Sequence, residues 1–343
     1  GTIIVITMKI LNLVVLSGWV SIMLSMLFLF ATAFLFLGIF LISGFLGFAQ
    51  EKNCLVEPLD PSKQITTQFD LAHSRSGFII PIVVHLVFSD PSHDFSDLEV
   101  SAQIDVLNRD FNLMNENLFQ IPEQFKPNAS NTGIRFCLAQ TDPLGKESNG
   151  ITRTMTSIPN IGSSINPEGR KRIHYSFLEG QDAWDPDKYL NIWVGEMESV
   201  IGFASFPGEA PFFEEDGVII DPDYFGALRT ASSSQPNKGH TLTHEIGHYL
   251  NLQHLWGANN SSCAEDDLIS DTPQQEGPYF GCPIHPVLSC GSVDMFMNFM
   301  DYTDDECMNM YTQGQKNVMR NVLFGIRNQL SENGASVCPK NCF

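Results

Sequence analysis

Positive charge is scarce in this chain. It holds 19 Lys and Arg against 39 Asp and Glu over 343 residues, a formal charge of −20. Such a surface repels polyanions, which excludes a nucleic-acid partner and leaves solubility, or basic substrates, as the use of the acidity. The eight cysteines form no C-x-x-C pair, so a zinc-finger scaffold is excluded as well. No internal repeat and no low-complexity run follows residue 50.

Charge of either sign is absent between Lys9 and Glu51. The run Leu11 to Ala49 is almost wholly apolar and long enough to span a bilayer. Gly47-Phe48-Ala49 before Gln50 has the small-x-small pattern of a cleavage site. Residues 1–49 are therefore read as a signal peptide or as a membrane anchor, with a tether through residues 10–48 in the second case. Both readings export the rest of the chain, secreted or anchored with its body outside. Eight cysteines suit that compartment, where disulfides persist.

What is present in strength is the stretch Thr243 to His254. His244 and His248 are four apart, which on a helix places both imidazoles on one face. His254 follows six residues later, about 600° round a continuing helix, off that face. The helix must therefore stop near residue 251 for His254 to swing back. Three histidines with an open fourth position are what a catalytic zinc needs. Glu245 projects beside the metal position, where it can take a proton from water and pass it to a leaving amine.

Along the chain, residues 50–78 are polar, carry Pro58 and Pro61, and read as a linker or short prosegment. Cys54 lies in it. A thiolate there can occupy the open position of a zinc and hold an enzyme latent; the alternatives are a disulfide with Cys137 or an idle thiol. Phe78–Phe88 is a buried strand by its β-branched run. Ser96 to Glu99 is a capping box, and Val100, Ile104, Leu107 and Phe111 mark the apolar face of the helix it starts. Further strands are expected at 133–139, 189–194, 202–206 and 216–221. The stretch 202–206 carries the Gly and Pro of a sheet edge, to which an extended peptide can add. The order of elements gives a mixed α/β layer arrangement. Residues 255–311 are rich in Asp, Asn, Pro, Gly and Cys, and must be stapled rather than packed. Asp266 to Thr272 offers hard oxygens suited to calcium, or is a solvated acidic loop. A last helix begins at Thr312 with Val318, Met319, Val322, Leu323, Ile326 and Leu330 as its apolar face.

Five stretches carry a family likeness: Ile80 to His85, Thr241 to His248, Ser270 to Pro273, Asn298 to Tyr302 and Cys307 to Thr312. In these the chain resembles the pappalysin family of metzincin zinc metalloproteases, whose elongated zinc helix is followed by a methionine turn. The resemblance implies an α/β (α+β) fold with a twisted, mixed five-stranded sheet and an active-site helix above it. A disulfide-stapled C-terminal subdomain ending in a helix would follow. The catalytic domain would run over 79–343, divided into 79–254 and 255–343. His244, His248 and His254 would bind zinc, Glu245 would be the base, and Tyr302 would help stabilise the oxyanion. Met300 would form the floor under the metal. Disulfides Cys263–Cys290 and Cys282–Cys307, and calcium near Asp267, Asp271 and Thr272, are implied in the same way. The family motif has glycine where this chain has Asn251, the residue next most tolerant of a left-handed turn, at a cost of about 1 kcal/mol.

The sequence thus reads as an exported zinc endopeptidase acting on proteins or peptides. The alternative is a non-catalytic zinc-bound adhesion or binding module on the same fold. Asp304, Asp305 and Glu306, just after the methionine turn, suggest Arg or Lys after the cut.

Overall fold

The computed structural model divides the chain into two units, 1–50 and 51–343. It describes residues 54–55, 77–163, 171–198, 200–226, 238–258 and 262–340. The expected leader at 1–49 lies outside these residues, as does most of the segment 50–78. Among the described residues no helix is long and apolar enough to cross a membrane.

One mixed sheet organises the second unit. Its strands are β1 (Cys54–Leu55), β2 (Phe78–Phe88), β3 (Ile134–Leu138), β4 (Ile151–Met155), β5 (Leu190–Val194), β6 (Gly202–Ala204) and β7 (Val218–Ile220). The order is β1-β6-β7-β5-β2-β3, and β4 also pairs with β2. β2 is parallel to all three of its neighbours. It is covered on both faces, which explains its unbroken apolar run. β3 lies along its first half and β4 along its second, on the same flank, with β5 opposite. Pro81 is tolerated mid-strand for a simple reason. The N–H of Phe78 bonds Gly133 and the carbonyl of Ile82 accepts from Ala139, so even-numbered residues serve the β3 flank. Pro81 faces the other flank, where β5 begins only opposite Ile82.

The five expected strands all form, and β1 and β4 join them. β4 alternates buried and exposed positions weakly and ends on Met155, 69% exposed, so its apolar signal is faint. β6 is antiparallel to β7, and its outer side is paired in parallel by β1, with Cys54 opposite Gly202. His85, in β2, is a core histidine. Thr152 lies 2.8 Å from Nδ1 and Asn191 Oδ1 3.0 Å from Nε2, and burial lowers its pKa to about 4.

Two helices pack on one side of the sheet. α1 (Asp97–Phe111) starts at the Ser96/Glu99 capping box and buries the expected Val100, Ile104, Leu107 and Phe111. α2 (His240–Tyr249) is buried along its whole length. Polar ties join them. Gln103 donates to the Gly239 carbonyl at 2.9 Å, and Thr243 donates to Asp110 at 2.6 Å.

The C-terminal part holds a short hairpin, β8 (Leu288–Ser289) with β9 (Ser292–Val293), and ends in two helices, α3 (Gln313–Phe324) and α4 (Asn328–Val337). The single last helix expected from periodicity is thus broken. Gly325 leaves helical geometry, Ile326 is 54% exposed, and Leu330 is buried on the second helix. Cys263–Cys290 and Cys282–Cys307 are bonded, closing separations of 27 and 25 residues in the irregular part. Loops of that size contribute about 3–4 kcal/mol each in the chain-entropy picture. Cys137 bonds Cys338, not Cys54, and so ties β3 to the end of α4.

Candidate metal centre

α2 carries His244 and His248 one turn apart, with Nε2 atoms 3.0 Å from each other. The helix then ends in a Schellman turn: Asn251 N–H donates to His248 O at 2.8 Å and Leu252 N–H to Gly247 O at 2.9 Å. Asn251 makes this turn at φ 74°, the left-handed conformation expected of it. The reversal brings His254 back, with its Nε2 3.1 Å from that of His248 and 3.3 Å from that of His244.

The donor set fits a tetrahedral zinc. Two bonds of about 2.05 Å at a tetrahedral angle put their nitrogens about 3.3 Å apart. The backbone fixes which nitrogens face inward. His244 Nδ1 donates to Phe299 O and His248 Nδ1 to Leu252 O, both at 2.7 Å. Each Nε2 of that pair is then a bare lone pair, and such lone pairs converging without a cation repel. Burial, and then the neighbouring imidazoles, hold His248 and His254 well below the usual histidine range, so both are neutral ligands. Among the described residues this is the cluster that could hold a metal.

Aromatic rings fix the outer side. His254 stacks on Trp256 at 4.6 Å, and Tyr302 stands edge-on to His254 at 4.9 Å. Met300 is fully buried beneath the helix at Gly247, where a Cβ would lie 3.3 Å from Met300 Cε and 3.2 Å from Tyr311 Oη. The methionine turn is held in turn by paired amides. Asn298 donates to Gln315 at 2.8 Å, Gln315 returns a bond at 3.0 Å, and Asn298 Oδ1 also accepts from Met300 N.

Glu245 is fully buried on the face of α2 toward β6. A Cβ at Gly202 would fall 2.7 Å from Glu245 Cδ. A narrow cleft opens beside it, lined by Ile201, Thr241, His244, Tyr302, Asp305 and Met308 among others. Asp305 accepts from the N–H of Lys238 at 2.8 Å and of His240 at 3.2 Å. Asp301, also in the lining, accepts from Gln275, Tyr279 N and Tyr302 N at 2.6–2.8 Å, and burial pushes it up to about 7.

The residues expected at a calcium site also have partners within the protein. Asp271 accepts from Thr312 Oγ1 and Gly314 N, at 2.7 and 2.9 Å, capping α3. Thr272 donates to Asp267 Oδ1 at 2.7 Å. Asp267 Oδ2 is buried without a hydrogen-bond partner, and burial pushes the carboxyl up to about 8. Residues given no role of their own at the centre from sequence also matter here: Gly202, the Asn298–Gln315 pair, and Arg327. The break Gly325-Ile326-Arg327 in the last apolar pattern was the available sign of the last.

The family model described as pregnancy-associated plasma protein-A matches residues 176–324. An extracellular metalloprotease of Arthroderma benhamiae is 28% identical over 253 residues, covering 72% of this chain and 78% of that protein. Extracellular metalloprotease 1 of Coccidioides posadasii is 30% identical over 242 residues, covering 67% and 71%. The structure of Tannerella forsythia mature mirolysin in complex with a cleaved peptide is similar at a TM-score of 0.73 and 39% identity, covering 77% of this chain and 99% of that one.

Proposed function

The chain belongs to the pappalysin family of metzincins and is a zinc-dependent metalloendopeptidase, and on that premise we propose that Glu245 is its general base and that it works outside the cell. The observation that carries this is the triad itself: three inward Nε2 atoms 3.0–3.3 Å apart. Zinc, when bound there, polarises the scissile carbonyl and lowers the pKa of water.

The residues of the chain supply the rest. A peptide adds by backbone hydrogen bonds to the outer side of β6, in place of β1, which pairs there in this structure. The pocket lined by Ile201 and Asp305 takes the side chain after the cut, and its acid favours Arg or Lys. Ile201 precedes β6, so residues before the cut lie toward Ala204 and Ser205, and the substrate runs antiparallel to β6. Glu245 takes the proton of the attacking water and delivers it to the leaving nitrogen. The Tyr302 hydroxyl donates to the carbonyl oxygen as its charge develops. Export accords with three disulfides and with relatives named extracellular.

The experiment is hydrolysis of casein by wild type and Glu245→Ala, with and without a chelator. Loss of activity in the variant and in chelator, with recovery on adding zinc, is expected. Chelator-insensitive activity or a fully active variant overturns the assignment.

Latency is read at Cys54. β1 pairs with β6 in parallel, the reverse of a substrate, so it covers the substrate edge in a direction unsuited to cleavage. Cys54→Ala in the full chain should shorten the lag before activity; an unchanged lag removes the role. Calcium is assigned to Asp267, whose Oδ2 is buried and unpartnered. A melting temperature indifferent to calcium in wild type would remove that assignment.

A further inference from the structure

Arg327 lies in the break between α3 and α4, 6% exposed. Its guanidinium forks onto Asp216, just ahead of β7, with Nη2 2.8 Å from Oδ1 and Nη1 on Oδ2. Nε donates to the carbonyl of Tyr249, the last residue of α2, at 3.2 Å. The guanidinium carbon sits 3.6 Å from the centroid of the Tyr249 ring. Nη2 also reaches the carbonyl of Ser205, the residue after β6, at 3.4 Å.

These partners flank the reaction centre on both sides. Tyr249 follows the metal ligand His248 directly. Ser205 lies three residues after Gly202, which packs on Glu245. The Tyr249 carbonyl is one of the groups a helix end leaves unpaired, and a cation there also complements the helix dipole. A buried charge persists only where its donors are satisfied, so this planar fork tolerates little movement of either element. β6 itself is three residues long, and its pairing with β7 ends at Ser205 N–H to Gly217 O. A strand that short is placed by what grips its end.

We propose that Arg327 is a positioning residue that fixes the outgoing end of the substrate-binding strand β6, at Ser205, against the end of the metal helix α2. It acts through Ser205 and Tyr249 and touches no reacting atom. This rests on the reading that peptides pair along β6. Residues before the cut lie toward Ser205, so the effect of Arg327 falls on substrates that extend in that direction.

The test uses two fluorogenic peptides with Arg after the cut. One is N-acylated on the residue just before the cut; the other carries five further residues on that side. Bound zinc, melting temperature, kcat and KM are measured for wild type, Arg327→Lys and Asp216→Asn. Arg327→Lys should keep its zinc and lose about 10–100-fold in kcat/KM on the long peptide, mainly in kcat, but less than about threefold on the short one. Asp216→Asn leaves the guanidinium in place and should show the same length dependence at smaller size, which decides the matter if Arg327→Lys does not fold. Equal losses on both peptides, or no loss on the long one, overturn the proposal. A wild type that cleaves neither peptide overturns the underlying reading, and this inference with it.

Discussion

Gly202 of β6 lies directly against the carboxylate of Glu245 on α2. A Cβ added at Gly202 would fall 2.7 Å from both Cγ and Cδ of Glu245, closer than any real contact. The strand proposed to bind substrate and the proposed general base thus meet without a side chain between them. Gly202→Ala must move one of the two, at a cost of about 1–3 kcal/mol for overpacking. The expected outcome is a fall in kcat of about 100-fold with zinc content unchanged, since a 1 Å displacement costs that much. Steady-state kinetics with metal analysis check it; an unchanged kcat would show that Glu245 can shift freely.

Asn251 holds the turn that returns His254. Its φ of 74° costs Asn about 1 kcal/mol, which glycine avoids. Asn251→Gly should therefore raise the melting temperature by about 2–4 °C with activity kept. Asn251→Val should displace Leu252, free the Nδ1 of His248, and weaken zinc by about 10–100-fold. Calorimetry and a competitive zinc titration measure both. A valine variant with wild-type zinc affinity would separate the turn from the metal.

Asp305 lines the cleft beside Glu245, as does Asp301, whereas Asp304 and Glu306 are not among its lining residues. Asp305→Asn should reduce kcat/KM on peptides with Arg after the cut by about 10–100-fold, the size of one charge-assisted hydrogen bond. Peptides with an apolar residue there should change less than about threefold. A library profile in which the variant keeps its basic preference would remove Asp305 from specificity.

Asp301 gives a pH signature with a definite sign. Burial raises its carboxyl to about 7, so the folded chain holds that proton where the unfolded chain, near the ordinary value of 3.8, has released it. Its contribution to stability is therefore full below about pH 4, falls as pH rises toward 7, and levels off above. Relative to Asp301→Asn, which cannot titrate, wild type should be more stable at pH 5 than at pH 8. The gap between their melting temperatures should narrow across that range. A gap that widens with pH contradicts the raised pKa.

Much of the centre was legible in the sequence because it is local. The spacing of His244 and His248 follows from helical pitch, and the helix stop near residue 251 follows from where His254 must go. The capping box at Ser96 and the strand Phe78–Phe88 were legible for the same reason. β4 was not, because a strand on the flank of β2 with exposed alternate positions has little apolar signal. The last helix was misjudged because periodicity carries through Ile326, while Gly325 and the buried Arg327 interrupt it. Nor does acidic spacing reveal that Asp271 caps a helix 41 residues away.

What the sequence determined by itself was the donor set, the helix that carries it and the residue that turns it, since these are fixed by neighbours within one or two turns. What only the tertiary structure decided were the contacts between distant segments. These include Gly202 against Glu245, Phe299 accepting from His244, Cys137 bonded to Cys338, and Arg327 gripping both β6 and α2. The reason is physical. Backbone periodicity is written into consecutive residues, whereas close approach between elements depends on how the whole core packs, and no run of consecutive residues records that.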